Sequence, residues 1–336
     1  MKDANRVLPT HAQLAQDSNQ ASNNQDESDG IDRRGFLSCM AWAGTGLLWT
    51  MAGGVPTSRL FAATPKAEAA QASAGFSFVQ ISDSHIGFNK AANQDVTGTL
   101  KLALEKINHL PATPDLLLHT GDITHSSKPE EFDTAQQLIK GTKAGETFYV
   151  PGEHDIANDN GATYRERFGK GTQGSGWYSF NHKSVHFIGL NNCQQVDAMG
   201  LLGADQLRWL KADLASLSPS TPIVIFAHIP LWMVYPDWGW GTPDAAEALT
   251  YLKRFGSVTV LNGHIHQVVQ KIEGNVVFHA AMSTAFPQPA PGTAPHAGPM
   301  LVPAAKLKNV LGIAEVRYFG HHGHLAVVDS PLEEMA

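Results

Sequence analysis

The sequence predicts an α/β fold of packed layers, with sheets stacked on one another and helices outside them. Three observations point there. Short apolar runs of β type alternate with helix-periodic segments between residues 76 and 264. Antiparallel hairpins, marked by glycine turns, close the chain,. The 336 residues, 43% hydrophobic and 16% charged, suit a globular chain with a substantial core,.

The elements follow in order. FSFVQIS (76–82) is a short strand ending at Asp83, and residues 100–110 place Leu100, Leu104, Ile107 and Leu110 on one helical face,. PDLLLHTGD (114–122) is a buried strand ending in Gly-Asp, EEFDTAQQLI (130–139) a helix and ETFYVPG (146–152) a strand. Residues 176–192 form a hairpin, 204–217 a helix carrying Leu207, Leu210, Leu214 and Leu217, 221–228 a strand and 244–255 a helix,. Residues 257–264, 267–281 and 311–329 are β-rich. The proline-rich stretch 286–303 is a long loop that returns to a strand of the sheet, and no linker divides the core.

The N-terminal part is expected to lie outside the fold. Residues 1–30 are polar and expected to be disordered,. Residues 31–74 carry twin arginines, Arg33 and Arg34, before the apolar stretch 39–55 and small-residue sites from Ala63 to Ala74. That pattern is a twin-arginine export address with a cleavage region rather than a membrane anchor. The expected partner of this segment is therefore the twin-arginine export machinery, with no stable membrane anchor after cleavage. The expected location is periplasmic or secreted. Residues 75–330 form the folded domain. The net charge of −7, without a dense Lys/Arg run, argues against a nucleic-acid-binding surface,. Two cysteines, Cys39 and Cys193, exclude a disulfide framework and a cysteine-rich zinc site,.

Five strand ends carry metal-ligand residue types: Asp83 and His85 in SDSH, Asp122 in GD, Glu153, His154 and Asp155 in GEHD, His228 in AH, and His264 and His266 in GHIH. In an α/β fold such loops gather at one edge of the sheet. Asp83 and His85 stand two apart, as do His264 and His266, so on extended segments each pair points one way. Mixed histidine and carboxylate donors suit Mn, Fe, Zn, Co or Ni better than Ca or Mg.

This series of D-x-H, G-D, G-x-H-D, H and G-H-x-H resembles the calcineurin-like metallophosphoesterases, over about residues 76–328. The nearest branch is similar to cyclic-nucleotide phosphodiesterases and purple acid phosphatases. The resemblance implies a four-layer αββα sandwich holding two divalent or mixed-valent transition metal ions (Fe, Mn or Zn), about 3.5 Å apart. It implies that Asp83, His85 and His266 hold the first ion, that His228, His264 and Glu153 hold the second, and that Asp122 bridges them. It implies a small phosphorylated substrate as partner, a phosphate mono- or diester hydrolysed by a metal-bridging hydroxide. His154 would then be the catalytic residue that bonds the phosphoryl group and protonates the leaving oxygen, with Asp155 and Asn262 as supports.

Position 153 departs from the family, which has Asn there. Glu adds a methylene and a negative charge and removes an N–H donor. Two divalent ions against Asp83, Asp122 and a hydroxide leave the core roughly plus one with Asn, and roughly neutral with ionised Glu153. Glu153 is therefore expected to be a ligand that favours a harder or mixed-valent metal pair and singly charged diesters. The alternative is that it swings aside.

Other residues are weighed against plainer roles. Trp232, Tyr235, Trp238 and Trp240 follow His228 and are candidates for a substrate wall or for a loop packed on itself. His125 is expected on a surface loop, with the pocket rim as the other place. His119 is expected to be structural. His321, His322 and His324 are expected in a solvated turn, and His279 and His296 have no evident partner. A non-catalytic metal-binding domain, altered by Glu153, and an exported nucleotidase or protein phosphatase are the rival functions.

Overall fold

The computed structural model describes residues 75–333 apart from residue 197 and residues 321–324, together with the backbone of residues 47–52 and 55–60. Arg33 and Arg34, the polar extension 1–30, and His321, His322 and His324 lie outside the described residues. Within the expected export segment 31–74, ahead of the small-residue cleavage sites, Leu47–Ala52 (β1) and Val55–Leu60 (β2) pair antiparallel as a two-stranded ladder separate from the two main sheets.

Strand alternation builds the rest. Phe76–Ile81 (β3), Leu116–His119 (β4) and Glu146–Tyr149 (β5) are parallel neighbours. Gly312–Tyr318 (β12) and Leu325–Pro331 (β13) extend that sheet antiparallel beyond β3. The chain after the proline-rich loop therefore returns beside β3 and forms one edge of the five-stranded sheet, in the order β13-β12-β3-β4-β5. The second sheet contains Tyr178–His182 (β6), Val185–Gly189 (β7), Ile223–Phe226 (β8), Val258–Asn262 (β9), Val269–Glu273 (β10) and Val276–Ala280 (β11), in the order β10-β11-β9-β8-β7-β6.

Because successive side chains face opposite sides, one strand serves two cores. In β4, Leu116 and Leu118 point into a central cluster with Phe78, Phe187, Phe226 and Val316, drawn from both sheets. Leu117 points the other way, under Val96–Asn108 (α1) and Pro129–Ile139 (α2), and meets Leu100, Ile107 and Phe132. In β8, Val224 and Phe226 face inward, while Ile223 and Ile225 meet Leu207, Leu210 and Leu214 of Gly203–Ala215 (α4) and Leu252 of Ala245–Leu252 (α5). Three apolar clusters thus separate four layers, the expected αββα sandwich. Each of these side chains contributes roughly 1.5–3 kcal/mol by leaving water.

The strand and helix expectations hold to within a few residues at their ends. The helix Ala162–Phe168 (α3) was not expected. Its polar sequence offers one fully buried apolar anchor, Tyr164, too little for a periodic signal,. Among the described residues no helix is long and apolar enough to cross a membrane.

A candidate metal centre at the strand ends

Parallel strands put their carboxyl ends on one edge, and there the chain turns sharply. Asp83, His85, Asp122, His264 and His266 all have left-handed backbone, with φ of 54°, 41°, 50°, 70° and 52°. This corrects the expectation of extended D-x-H and H-x-H segments: the side chains converge through successive tight turns. Such backbone is costly for non-glycine residues and persists where surrounding bonds over-determine it. Here they do. The amide of Asp83 donates to Gly121 O (3.0 Å), His85 N–H to Asp122 O (2.9 Å) and Ile86 N–H to Ile123 O (3.1 Å). Gly121 has φ 95°, and a Cβ there would lie 2.5 Å from His228 Nδ1, so this turn needs glycine,.

The structure brings the expected residues together. Asp83, His85 and His266 present ligand atoms within 4.8 Å of one another, as do Glu153, His228 and His264. Asp83, Asp122 and His228 form a third such group that joins the two. Asp122 Oδ2 lies 3.5 Å from His85 Nε2 and 3.3 Å from His228 Nε2, and so touches both sides. Glu153 does not swing aside: Oε2 is 3.0 Å from His228 Nε2, and Oε1 is 3.0 Å from His264 Nδ1.

Backbone carbonyls set the tautomers. His228 Nδ1–H donates to Thr120 O (2.7 Å), and His266 Nδ1–H to Phe286 O (2.5 Å). Each ring therefore turns Nε2 toward the carboxylates. Yet His228 Nε2 and His264 Nδ1, both buried, make no contact with the angle of a hydrogen bond. Nitrogens close to carboxylate oxygens, aimed past them at common points, are the arrangement a cation completes. The electrostatics agree. Burial would raise the Glu153 carboxyl, but His264 and His228 outweigh it and hold it well below the usual range. Burial would raise Asp83 too, and His266 and His228 bring it to about 2. Burial lowers His228, and Asp122 and Glu153 more than reverse this, so the ring is pulled well above its usual value. Burial keeps His85 neutral, reinforced by His154, His266 and His125. The donor set fits transition-metal ions.

Asp155 and Asn262 each bridge two of the loops around these groups. Asp155 is fully buried and accepts from Ile123 N (3.1 Å), Thr124 N (2.8 Å), Thr124 Oγ1 (2.8 Å) and Gly152 N (2.9 Å), clamping the Glu153 turn to the Asp122 loop. Burial and the nearby Asp122 charge raise it to about 7, against those bonds. Asn262 Nδ2 donates to Ala227 O (2.9 Å) and Ile229 O (3.1 Å), bracketing His228.

His154 stands at the mouth of the centre. Its N–H donates to Asp122 Oδ1 (2.9 Å), and its Nδ1–H to His125 O (2.7 Å), which leaves Nε2 for an incoming group. Burial lowers this ring, and Asp122 and Glu153 outweigh that, so it is raised above the usual imidazole value. A cation beside those carboxylates would oppose the shift. His125 is not a plain surface histidine. Its ring stacks on His154 (centroids 4.8 Å apart, planes at 19°), its Nδ1 lies 3.4 Å from His85 Nδ1, and burial takes it to about 4.

A cleft of about 150 Å³ opens over these groups, walled by Phe88, Lys90, Phe286 and Gln288. The four aromatic candidates are not among its lining residues. Trp232 and Trp240 are buried in the outer core under α4 and α5, and Tyr235 and Trp238 pack against it. Of the two readings, the packing agrees with a loop that packs on itself, with Trp238 edge-on to both Tyr235 and Trp240,. Sequence reasoning missed Phe286, whose ring stacks on His85 (4.8 Å, 29°) and whose carbonyl fixes His266. It sits at the start of a loop with no periodic signal. His119 is structural as expected, buried with Nε2 at 2.9 Å from Ser84 Oγ. His279 pairs with Asp329 (3.0 Å), and exposed His296 bonds Ala297 O.

The calcineurin-like phosphoesterase family model matches residues 76–268. Over 222 residues the chain is 28% identical to a 3′,5′-cyclic-nucleotide phosphodiesterase of Nostoc sp., covering 62% of this chain and 79% of that one. It is 30% identical over 167 residues to a probable glycerophosphodiester phosphodiesterase of Arcobacter nitrofigilis, covering 45% and 56%. A dimetal phosphatase from Danio rerio shares its fold, with a TM-score of 0.56 at 15% identity over 77% of this chain and 97% of that one.

Proposed function

The chain belongs to the calcineurin-like phosphoesterase family and is a metal-dependent phosphoester hydrolase, and on that premise we propose that it is an exported, dinuclear phosphodiesterase. One observation carries this reading: two groups of three ligand residues meet at Asp122, with Glu153 reaching both His228 and His264. Asp83, His85 and His266 would hold one ion and Glu153, His228 and His264 the other, with Asp122 within reach of both groups. Bound there, the ions would supply Lewis acidity and lower the pKa of coordinated water.

The chain's own residues do the rest. His154, held by His125 O and Asp122, offers Nε2 to a phosphoryl oxygen and gives its proton to the departing oxygen,. Phe88 and Phe286 exclude water from one side of the cleft,. Asp155 and Asn262 keep the two loops in register.

Two things favour a diester. Glu153 adds a third carboxylate to Asp83 and Asp122, which disfavours a doubly charged monoester,. The Nostoc and Arcobacter relatives are both named as phosphodiesterases. Export follows from Arg33-Arg34 and the short apolar stretch after them,. The test is hydrolysis of bis(4-nitrophenyl) phosphate and 4-nitrophenyl phosphate by the Mn-loaded chain. The expected result is faster diester turnover, abolished in Asp122→Ala. No turnover with metal bound favours a non-catalytic metal-binding domain instead.

A further inference from the structure

Two of the ligand histidines have the outer ring nitrogen fixed by a backbone carbonyl, His228 by Thr120 O and His266 by Phe286 O. His85 differs. Its Nδ1 lies 3.4 Å from Nδ1 of another imidazole, His125, within hydrogen-bond reach. Its Nε2 faces Asp122 Oδ2 (3.5 Å) and His266 Nε2 (3.3 Å), on the side where the ligand groups meet.

We infer that His125 is a positioning residue for the first ion: its ring accepts the Nδ1–H of His85 and so reserves the His85 Nε2 lone pair for the metal; this rests on the dinuclear reading above. A neutral imidazole has one N–H and one lone pair, so only one direction of the bond is compatible with a metal. If His125 donated, His85 would carry its own proton on Nε2, aimed at Asp122 and His266, and could not ligate. With His125 accepting, His85 keeps its proton on Nδ1 and presents the lone pair inward. The backbone holds the rings at this distance. His85 N–H donates to Asp122 O (2.9 Å), Ile86 N–H to Ile123 O (3.1 Å) and His125 N–H to Ile86 O (2.9 Å), which laces the two loops together. Phe88 packs edge-on against His125 (5.1 Å, 89°) and touches Phe286, which stacks on His85. The carbonyl of His125 meanwhile holds His154 Nδ1–H (2.7 Å). One residue thus orients a ligand with its ring and the proton donor with its backbone.

The test is Mn(II) titration of the metal-stripped full chain, with free Mn(II) read by electron paramagnetic resonance. His125→Phe keeps the ring packing and the carbonyl but has no ring nitrogen. His125→Asn restores an acceptor, its Oδ1 taking the place of the imidazole Nδ1. Wild type is expected to bind two ions. In His125→Phe one of them should bind about 10–100-fold more weakly and the other as before, and His125→Asn should recover most of the loss. Turnover at saturating Mn should change far less, since the ion then refills its seat. Two unchanged affinities in His125→Phe, or equal weakening of both ions, overturn the inference, as does a His125→Asn chain that binds no better than His125→Phe. Should His125→Phe not fold by circular dichroism, His125→Ala takes its place in the same comparison. A single ion in wild type fails the dinuclear reading by itself, and the inference then survives only if that ion shows the same loss and recovery.

Discussion

Glu153 Oε2 lies 3.0 Å from His228 Nε2, the nitrogen left free when His228 gives its other N–H to Thr120 O. A neutral imidazole would set a lone pair against a carboxylate there. A proton or a cation resolves the repulsion, and the same closeness raises His228 and lowers Glu153,.

Replacing that carboxylate changes the charge of the centre by one unit. Glu153→Asn should raise kcat/KM for 4-nitrophenyl phosphate relative to the bis-aryl diester by roughly 10-fold, since one charge at close range in a partly buried site is worth a few kcal/mol before metal screening. Steady-state kinetics on both esters with the same metal check this. Equal behaviour of variant and wild type would remove the charge argument.

The ring of His154 and the carbonyl of His125 have separable roles. His154→Ala should cost about 100-fold or more in kcat as a lost general acid. His125→Ala keeps the carbonyl that bonds His154 Nδ1–H and should cost less than about 10-fold,. A larger loss in His125→Ala would place its ring, stacked on His154, in direct contact with substrate.

Metal should stabilise the fold. At about 100 times its Kd, a bound ion contributes about 2.7 kcal/mol, which for a domain of this size raises Tm by roughly 5–10 °C. Thermal scans with Mn and with chelator should show this shift in wild type and a smaller one in His228→Ala, which loses a ligand nitrogen.

Far from the centre, Asp213 of α4 accepts from His186 Nε2 (2.8 Å) and Ser179 Oγ (2.7 Å). Burial would raise its carboxyl, and the two hydrogen bonds hold it below the ordinary 3.8. A lowered folded value contributes stability above the unfolded value, and that stability is lost as pH falls through the folded value. Asp213→Asn should therefore destabilise by about 1 kcal/mol at neutral pH, a modest figure because the group is partly solvated. The gap should close below about pH 4 in acid titrations of Tm.

The layers of the fold were legible because β4 and β8 carry continuous apolar runs and the helices carry spaced leucines. The candidate ligands were legible because each lies just after such a run. What escaped was conformation and contact across the sequence. Nothing local says that Asp83 and His85 turn left-handed, since the amide bonds that enforce it come from the loop around Asp122. The aromatics after His228 left a wall and a self-packed loop both open because residue type does not reveal which way a side chain faces. Trp240 turns into the core under α4 and α5. Phe286 reaches His85 from a loop 200 residues away, where periodicity carries no signal.

The most direct test of the central claim is metal stoichiometry, measured by elemental analysis of the folded, Mn-loaded chain and its variants. Wild type should hold two ions per chain, His85→Ala and His264→Ala about one each, and Asp122→Ala fewer than two, with bis-aryl diester turnover lost in all three. A single ion in wild type, or full turnover in His264→Ala, would contradict a dinuclear centre built on Asp122.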